Sequence, residues 1–209
     1  MVSPDLAQQV LEMLPAREGH FLFESGHHSE FWLDLESLFE RPERVRPFAV
    51  YLAKKIAVHR PEGICGPLVE GAFLATMVSS ALQVPFFYSE RSVEGERGLF
   101  PYDYRLPGVQ RAQVQGKRLA IVNDVISAGS AVRGTLADLK ACGASTVAIG
   151  CLLTMGQAAR QLASAAGAAL ETLASQPLTI WAPSECPLCA KGVPLSGGFE
   201  PAPPPEAAG

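Results

Sequence analysis

The sequence lacks any apolar run of the ~18 residues that a membrane-spanning helix needs. Its first residues lack the charged start and apolar centre of a secretory signal. Basic residues are not in excess either, because 17 Lys and Arg stand against 21 Asp and Glu, giving a formal net charge of −4. We therefore expect a cytoplasmic protein with no membrane partner and no general attraction to nucleic acid. A highly anionic small ligand would need a local positive site.

The 209 residues contain no long low-complexity run, and their 48% hydrophobic and 18% charged content is typical of a globular protein. Apolar strands such as "GICGPLV", "KRLAIVND" and "STVAIGCLLT" alternate with helical patterns such as "SAVRGTLADLKACGA". This alternation predicts an α/β fold with a parallel sheet and helices on both faces. Before it, alternating apolar residues around "SGHHS" predict two strands joined by a turn. Residues 92–116 show no clear period.

The stretch "LAIVNDVISAGSAVRGT" carries the strongest functional signal. Asp124 closes a predicted buried strand, and the small residues 127–130 then open a predicted helix. Ligands of open α/β sheets bind beyond the carboxyl ends of the strands, and a helix N-terminus offers free N–H groups to phosphate. A plain helix cap would explain one Ser or Asp, but not the whole run. We therefore predict a binding site for a sugar phosphate in this stretch.

The same stretch resembles the phosphoribosyl pyrophosphate signature of the type I phosphoribosyltransferases, in which two acids precede a loop of Thr, Ser and Gly. The resemblance implies that Asp124 matches the second acid and holds the ribose hydroxyls. Asn123 stands where the family has its first acid. The residues that match the family's 5-phosphate loop are Ser127, Ala128, Gly129, Ser130 and Ala131.

The resemblance covers roughly residues 5–175 and is nearest to the orotate phosphoribosyltransferases. "FLFESGHHSEFWLDLESL" resembles their N-terminal hood, "GICGPLVEGAFLA" their pyrophosphate loop, and "VPFFYSER" the strand before their mobile catalytic loop. These matches imply a type I phosphoribosyltransferase fold, a parallel-sheet core flanked by helices with a small hood. The implied parts are a hood (1–40), a core (41–181) with a mobile loop at about 89–115, and a Cys-containing, Pro-rich tail (182–209).

The resemblance also implies an activity. Members of the family transfer ribose 5-phosphate from phosphoribosyl pyrophosphate to a base, here a pyrimidine, and release pyrophosphate. They use Mg²⁺ with phosphoribosyl pyrophosphate and work as homodimers. Phe31 and Trp32 of the hood are candidates to shelter the flat base, with aromatic core packing as the alternative.

The sequence departs from the family pattern where cations are expected. Glu70 stands where orotate enzymes carry a Lys, Glu24 is the charged residue nearest to the position of their hood Lys, and "SERSVEGERG" has neither Lys nor His. Preorganised cations that stabilise the departing pyrophosphate are usually a large catalytic term. Arg91 and Arg97 are the candidate replacements beside Asp124, because Arg forks fit phosphate well. The alternative is a catalytically impaired relative that binds phosphoribosyl pyrophosphate or a nucleotide as a regulator.

The five cysteines include one local pair, "CPLC" at Cys186 and Cys189, with the spacing of half a zinc site. Zn²⁺ would need further ligands from elsewhere, such as across a dimer. A disulfide or two free thiols are the alternatives, and a cytoplasmic location disfavours a stable disulfide. His27 and His28 are adjacent and point in different directions, so we predict a surface turn for them instead of a metal pair.

Overall fold

The computed structural model describes residues 4–92 and 99–198 of the chain. The α-helices are α1 (Pro4–Glu12), α2 (Pro42–Ala57), α3 (Glu70–Leu82), α4 (Gly108–Val114), α5 (Ser130–Ala141), α6 (Ala158–Ala166) and α7 (Pro187–Ala190). The strands are β1 (Ala16–Leu22), β2 (His28–Leu33), β3 (Gly63–Pro67), β4 (Phe86–Ser92), β5 (Asp103–Arg105), β6 (Arg118–Ile126), β7 (Ser145–Met155), β8 (Ala169–Gln176), β9 (Ile180–Trp181) and β10 (Gly197–Gly198).

A six-stranded sheet forms the core, in the order β5-β4-β3-β6-β7-β8. All neighbouring pairs are parallel except β4 and β5. One apolar cluster packs α1, α2 and α3 against one face, through side chains such as Leu52 and Leu74. A second cluster packs α5 and α6 against the other face, through side chains such as Leu139 and Ala163. The predicted α/β architecture, with helices on both faces of a parallel sheet, is therefore confirmed.

A second, four-stranded sheet has the order β10-β1-β2-β9. The predicted hairpin is present, because β1 and β2 pair antiparallel. The C-terminal segment returns to this sheet: β9 pairs with β2, and β10 pairs with β1. The hood thus contains strands from both ends of the described chain, while the domain boundaries drawn from the sequence stay a prediction.

The aperiodic segment contains two elements that the sequence did not indicate, β5 and α4. Both are short, and distant contacts hold them in place. The carboxylate of Asp138 on α5 accepts a hydrogen bond from the backbone N–H of Leu106 at 2.8 Å and pairs with Arg111 at 2.5 Å. Such contacts across about 30 residues leave no trace in local periodicity.

Across residues 4–92 and 99–198, none of the helices combines the length and the apolar character that crossing a lipid bilayer requires. The cytoplasmic location stays a prediction. The Pro-rich end of the tail, residues 199–209, lies outside the described residues.

Candidate active site

The predicted phosphate loop, residues 127–131, joins β6 to α5. Gly129 lies in the left-handed region with φ at 79°, and α5 begins at the next residue without a side-chain cap. A Cβ at Gly129 would also lie 2.7 Å from Leu162 Cδ1 and would force that side chain to shift, so the positive φ is the main reason for a glycine there. The first N–H groups of a helix have no partner within it. The loop therefore offers the backbone donors and the dipole that favour phosphate.

Asp124 lies immediately before this loop and is almost fully buried, with 3% of its surface exposed. Because β6 continues to Ile126, Asp124 stands two residues short of the strand end instead of at it. Burial raises the pKa of its carboxyl to about 7, against backbone hydrogen bonds from Val125 and Asp124 itself, and the charge of Glu70 adds to the increase. Its Oδ2 finds no hydrogen-bond partner among the described residues. A buried carboxylate oxygen without a partner is suited to accept hydrogen bonds from a ligand.

Asn123 uses its amide in a way that an acid at the same position could not. Its Nδ2 donates a hydrogen bond to the carbonyl oxygen of Val125 at 2.7 Å. A carboxylate has no proton to donate there. The Oδ1 of the same amide lies so close to Gly71 that a Cβ added at Gly71 would clash with it. Asn123 therefore fixes both the strand that carries Asp124 and the neighbouring loop.

That neighbouring loop, residues 67–71, joins β3 to α3 and matches the predicted pyrophosphate loop. Its Leu68–Val69 peptide bond is cis. Glu70 is the first residue of α3, where a negative charge complements the helix dipole. Its charge also disfavours ionisation of Asp124. The structure therefore places a second acid beside Asp124.

Glu24 is held in the hood by a contact with the core. The Tyr104 hydroxyl donates to both Glu24 carboxylate oxygens at 2.9 Å. Arg91 Nη1 lies 3.4 Å from Glu24 Oε2, and its guanidinium lies 5.0 Å from the centre of the Tyr102 ring. Burial, reinforced by the neighbouring Glu24 charge, raises the pKa of Tyr104. The candidate catalytic cation Arg91 is therefore paired with an acid, while Arg97 lies outside the described residues.

Three adjoining pockets share Glu24 and Leu35 and together form one cleft between hood and core. The first, about 180 Å³, brings Phe31 and Trp32 against the phosphate loop. The second, about 180 Å³, joins that loop to Asn123, Asp124 and the loop of residues 67–71. The third, about 860 Å³, contains Arg91. Every predicted substrate-binding residue thus lines this cleft, although its role in binding stays a prediction.

Relatives of known name agree with this geometry. No family model matches the chain. Orotate phosphoribosyltransferase of Thermotoga maritima is 28% identical over 193 residues, covering 90% of this chain and 95% of the relative. That of Carboxydothermus hydrogenoformans is 28% identical over 197 residues, covering 93% and 96%.

Solved structures show the same fold. The crystal structure of orotate phosphoribosyltransferase from Aeropyrum pernix matches with a TM-score of 0.60 at 21% identity, over 81% of this chain and 93% of that one. Adenine phosphoribosyltransferase from Trypanosoma brucei matches with a TM-score of 0.67 at 16% identity, over 83% and 81%. The chain is thus similar in sequence to orotate phosphoribosyltransferases over nearly its whole length, and it has the fold of the type I phosphoribosyltransferases.

The cleft of this chain contains more acidic than basic side chains. The charged residues that line the second and third pockets are Glu24, Asp34, Glu70, Asp124, Arg17 and Arg91. Arg17 and Asp34 were not among the predicted site residues. Arg17 reaches the cleft because β1 and β2 pair in the register that sets it opposite Trp32, and Asp34 directly follows the end of β2. No local motif marks either residue.

The hood carries a second group of polar side chains, apart from the cleft. Cys186 and Cys189 lie beside His20 and His28, with one ligand atom of each residue within 4.8 Å of the others. The surface-turn prediction for His28 is wrong, since it begins β2 and is 8% exposed. His27 does turn away, and its Nδ1 lies 3.0 Å from Ser25 Oγ. Two histidines of the same chain thus lie beside the cysteine pair, while a metal at this place stays a prediction.

Proposed function

We propose that this chain transfers ribose 5-phosphate from phosphoribosyl pyrophosphate to a pyrimidine base, orotate, and releases pyrophosphate. The relatives named orotate phosphoribosyltransferase span nearly the whole chain, which supports this activity. The observation that carries the proposal is the second pocket. There an unpartnered, buried Asp124 oxygen adjoins the free N-terminus of α5.

In the proposed reaction, N–H groups of residues 127–131 bind the 5-phosphate and Asp124 accepts hydrogen bonds from the ribose hydroxyls. The base nitrogen forms a bond to C1 of the ribose as the bond from C1 to the pyrophosphate oxygen breaks. The electron pair of the broken bond leaves with pyrophosphate, and the proton of the base nitrogen passes to solvent. Positive charge develops on the sugar and negative charge on the leaving group, so groups of fixed charge around them decide the rate.

The donor set of the cleft fits Mg²⁺ bound to phosphoribosyl pyrophosphate. Mg²⁺ prefers oxygen ligands and retains several waters, and both Asp124 and Glu70 offer carboxylate oxygens in one pocket. Bound Mg²⁺ would neutralise part of the charge of the polyphosphate. Without a cation, one carboxylate about 4 Å from a phosphate charge costs roughly 4 kcal/mol in a partly screened site. Asp124 and Glu70 would therefore orient the metal-bound ligand.

Arg91 is proposed to assist the departure of pyrophosphate. Its 3.4 Å separation from Glu24 is a loose ion pair, and its side chain is 31% exposed. Tyr104 donates to both oxygens of Glu24, so Glu24 keeps its place if Arg91 turns to a phosphate. Arg97, on the same segment of the sequence, is proposed to act with it.

Phe31 and Trp32 are proposed to cover the base, because they line the first pocket together with the phosphate loop. We also propose a cytoplasmic homodimer. Val69 and Phe73, at the start of α3, are 53% and 48% exposed. A second copy would cover this apolar surface and lie close to residues 67–71. Sedimentation analysis of the purified chain should show twice the monomer mass.

One observation favours a second candidate, a protein that binds phosphoribosyl pyrophosphate without turnover. Glu24 and Glu70 both line the cleft; the resemblance leads one to expect Lys at the position of Glu70 and next to that of Glu24. The two candidates differ in consumption of the base. Orotate, uracil and adenine are each incubated with Mg²⁺, phosphoribosyl pyrophosphate and the chain, and the loss of base absorbance is followed. Consumption of orotate but not of uracil or adenine supports the proposal. Binding of phosphoribosyl pyrophosphate without consumption of any base supports the second candidate.

A further inference from the structure

The hood contains a compact cluster of two histidines and two cysteines, away from the side chains proposed for transfer. His20 and Cys186 are 1% and 2% exposed, and His28 is 8% exposed. Cys186 Sγ and Cys189 Sγ lie 3.5 and 3.7 Å from His20 Nε2, and Cys189 Sγ lies 3.3 Å from His28 Nδ1. Acidic side chains are absent from the cluster within the described part of the chain. From this geometry we propose that the four side chains bind one structural Zn²⁺.

The separations agree with tetrahedral coordination. With zinc bonds of about 2.0–2.1 Å to nitrogen and about 2.3 Å to sulfur, neighbouring nitrogen and sulfur ligands lie roughly 3.5 Å apart. The three observed nitrogen–sulfur separations, 3.3, 3.5 and 3.7 Å, bracket this value. The two histidine nitrogens are 2.8 Å apart, and would open by about half an ångström around the metal. Two sulfur and two nitrogen ligands are typical of zinc.

His20 is prepared to act as a ligand by its other nitrogen. Its Nδ1 lies 2.8 Å from the carbonyl oxygen of Val193. Because a carbonyl only accepts hydrogen bonds, Nδ1 carries the proton and Nε2 presents its lone pair to the cluster. Histidines that bind metal commonly donate their second N–H to such an oxygen. Cys189 is exposed, so a metal ion can enter from solvent.

The C-terminal segment gives a reason for the metal. In residues 182–198, Cys186 is the one buried side chain, and α7 is a single turn that follows it directly. A segment with so little buried apolar surface needs another source of stability, and a metal is a common one. Zn²⁺ would join this segment to β1 and β2 and displace the two thiol protons.

The proposed metal also bears on the active site through the hood turn. His20 lies on β1 and His28 begins β2, so the two ligands flank the turn that carries Glu24 and Ser25. Both of those residues line the cleft. Zn²⁺ at this place would therefore fix the position of Glu24 relative to Tyr104. It would be a positioning element and would not contact substrate.

The test uses the full chain without an affinity tag, purified with a reductant and without chelator. Elemental analysis should find about one zinc per chain. Replacement by Co²⁺ should give the intense visible absorption of a tetrahedral thiolate site, which reports on the native chain and needs no variant. Cys189→Ser and His28→Asn should lose most of the metal. The control variants Cys142→Ser, at the end of α5, and His27→Asn, next to His28, change the same residue types outside the cluster and should retain the metal.

The measurements can also overturn the assignment. A chain that purifies without zinc and binds neither Zn²⁺ nor Co²⁺ when supplied would contradict it. A disulfide between Cys186 and Cys189 in the reduced preparation, seen as a mass lower by two hydrogen atoms, would also contradict it. The same holds for a different metal ion bound by the same four ligands. Removal of zinc from the native chain by a chelator should lower its melting temperature, and added Zn²⁺ should restore it.

Discussion

The Tyr104 hydroxyl donates to both carboxylate oxygens of Glu24, at 2.9 Å each, and so connects the core to the hood. This contact sets an acid 3.4 Å from Arg91. Arg91, the cation proposed to assist the departure of pyrophosphate, is therefore partly neutralised by Glu24.

Replacing Glu24 by Gln should strengthen pyrophosphate binding. The amide oxygen still accepts from Tyr104, while the negative charge beside Arg91 is lost. One charge at about 4 Å amounts to about 1 kcal/mol in bulk water and more in this partly screened cleft, so Kd should fall at least roughly fivefold. Titration calorimetry with pyrophosphate and Mg²⁺ measures the Kd of the wild type and of the variant. The control is E18Q, which alters an exposed acid on the adjoining hood strand β1 and should leave Kd unchanged. Equal Kd values for both variants would exclude Arg91 from the site.

Asp124→Asn should abolish affinity for phosphoribosyl pyrophosphate and yet stabilise the free protein at neutral pH. Folding raises the pKa of this carboxyl from 3.8 to about 7, so the folded state holds its proton more tightly than the unfolded state. Its contribution to stability is thus fully present below pH 4 and is lost as pH rises toward 7. At pH 8 the loss reaches about 4 kcal/mol at most.

The check is the difference in unfolding free energy between wild type and D124N, measured by urea titration from pH 4 to pH 8. The unfolding free energy of D124N should rise relative to that of the wild type as pH increases. The control D5N alters an exposed acid on α1 and should show no such trend. A constant difference for D124N would mean that Asp124 titrates normally.

Glu70→Gln should lower the pKa of Asp124, because the charge of Glu70 is one of the causes of its increase. The pH trend of the wild type should therefore move to lower pH in E70Q. The matched control is E43Q, which removes an acid from the first turn of α2 and so causes a similar loss of dipole stabilisation, about 0.3–1 kcal/mol. If E43Q shifts the trend as much as E70Q does, the coupling between Glu70 and Asp124 is refuted.

Gly71→Ala should weaken both stability and ligand binding. The added methyl would clash with Asn123 Oδ1 and disturb its 2.7 Å hydrogen bond to Val125. Forcing a methyl into a packed site costs typically about 1–3 kcal/mol. Gly108 begins α4 and has nothing within 4 Å of an added Cβ, so G108A should change the free energy of unfolding by no more than about 0.5 kcal/mol. The melting temperatures of both variants are measured with and without phosphoribosyl pyrophosphate. Equal melting temperatures for G71A and G108A would contradict the role given to Gly71.

The sequence predicted those parts of the molecule whose cause is local. Apolar periodicity located the core strands, and the run from Asp124 to Ala131 located the pocket. The sequence did not indicate β5 or α4, which depend on Asp138 of α5. Nor did it indicate that His20 and His28 meet the cysteine pair, since that contact spans more than 160 residues. The donor role of Asn123 was also missed, because only its distance to Val125 reveals it.

The central claim is that the acid-rich cleft performs transfer and not binding alone. Phosphorus NMR of the chain with phosphoribosyl pyrophosphate, Mg²⁺ and orotate, followed over time, tests it most directly. We expect a pyrophosphate signal that grows only when orotate is present and is absent with D124N. Signals of phosphoribosyl pyrophosphate that broaden without any new product would contradict transfer, and signals unaffected by the protein would also contradict the sugar-phosphate site itself.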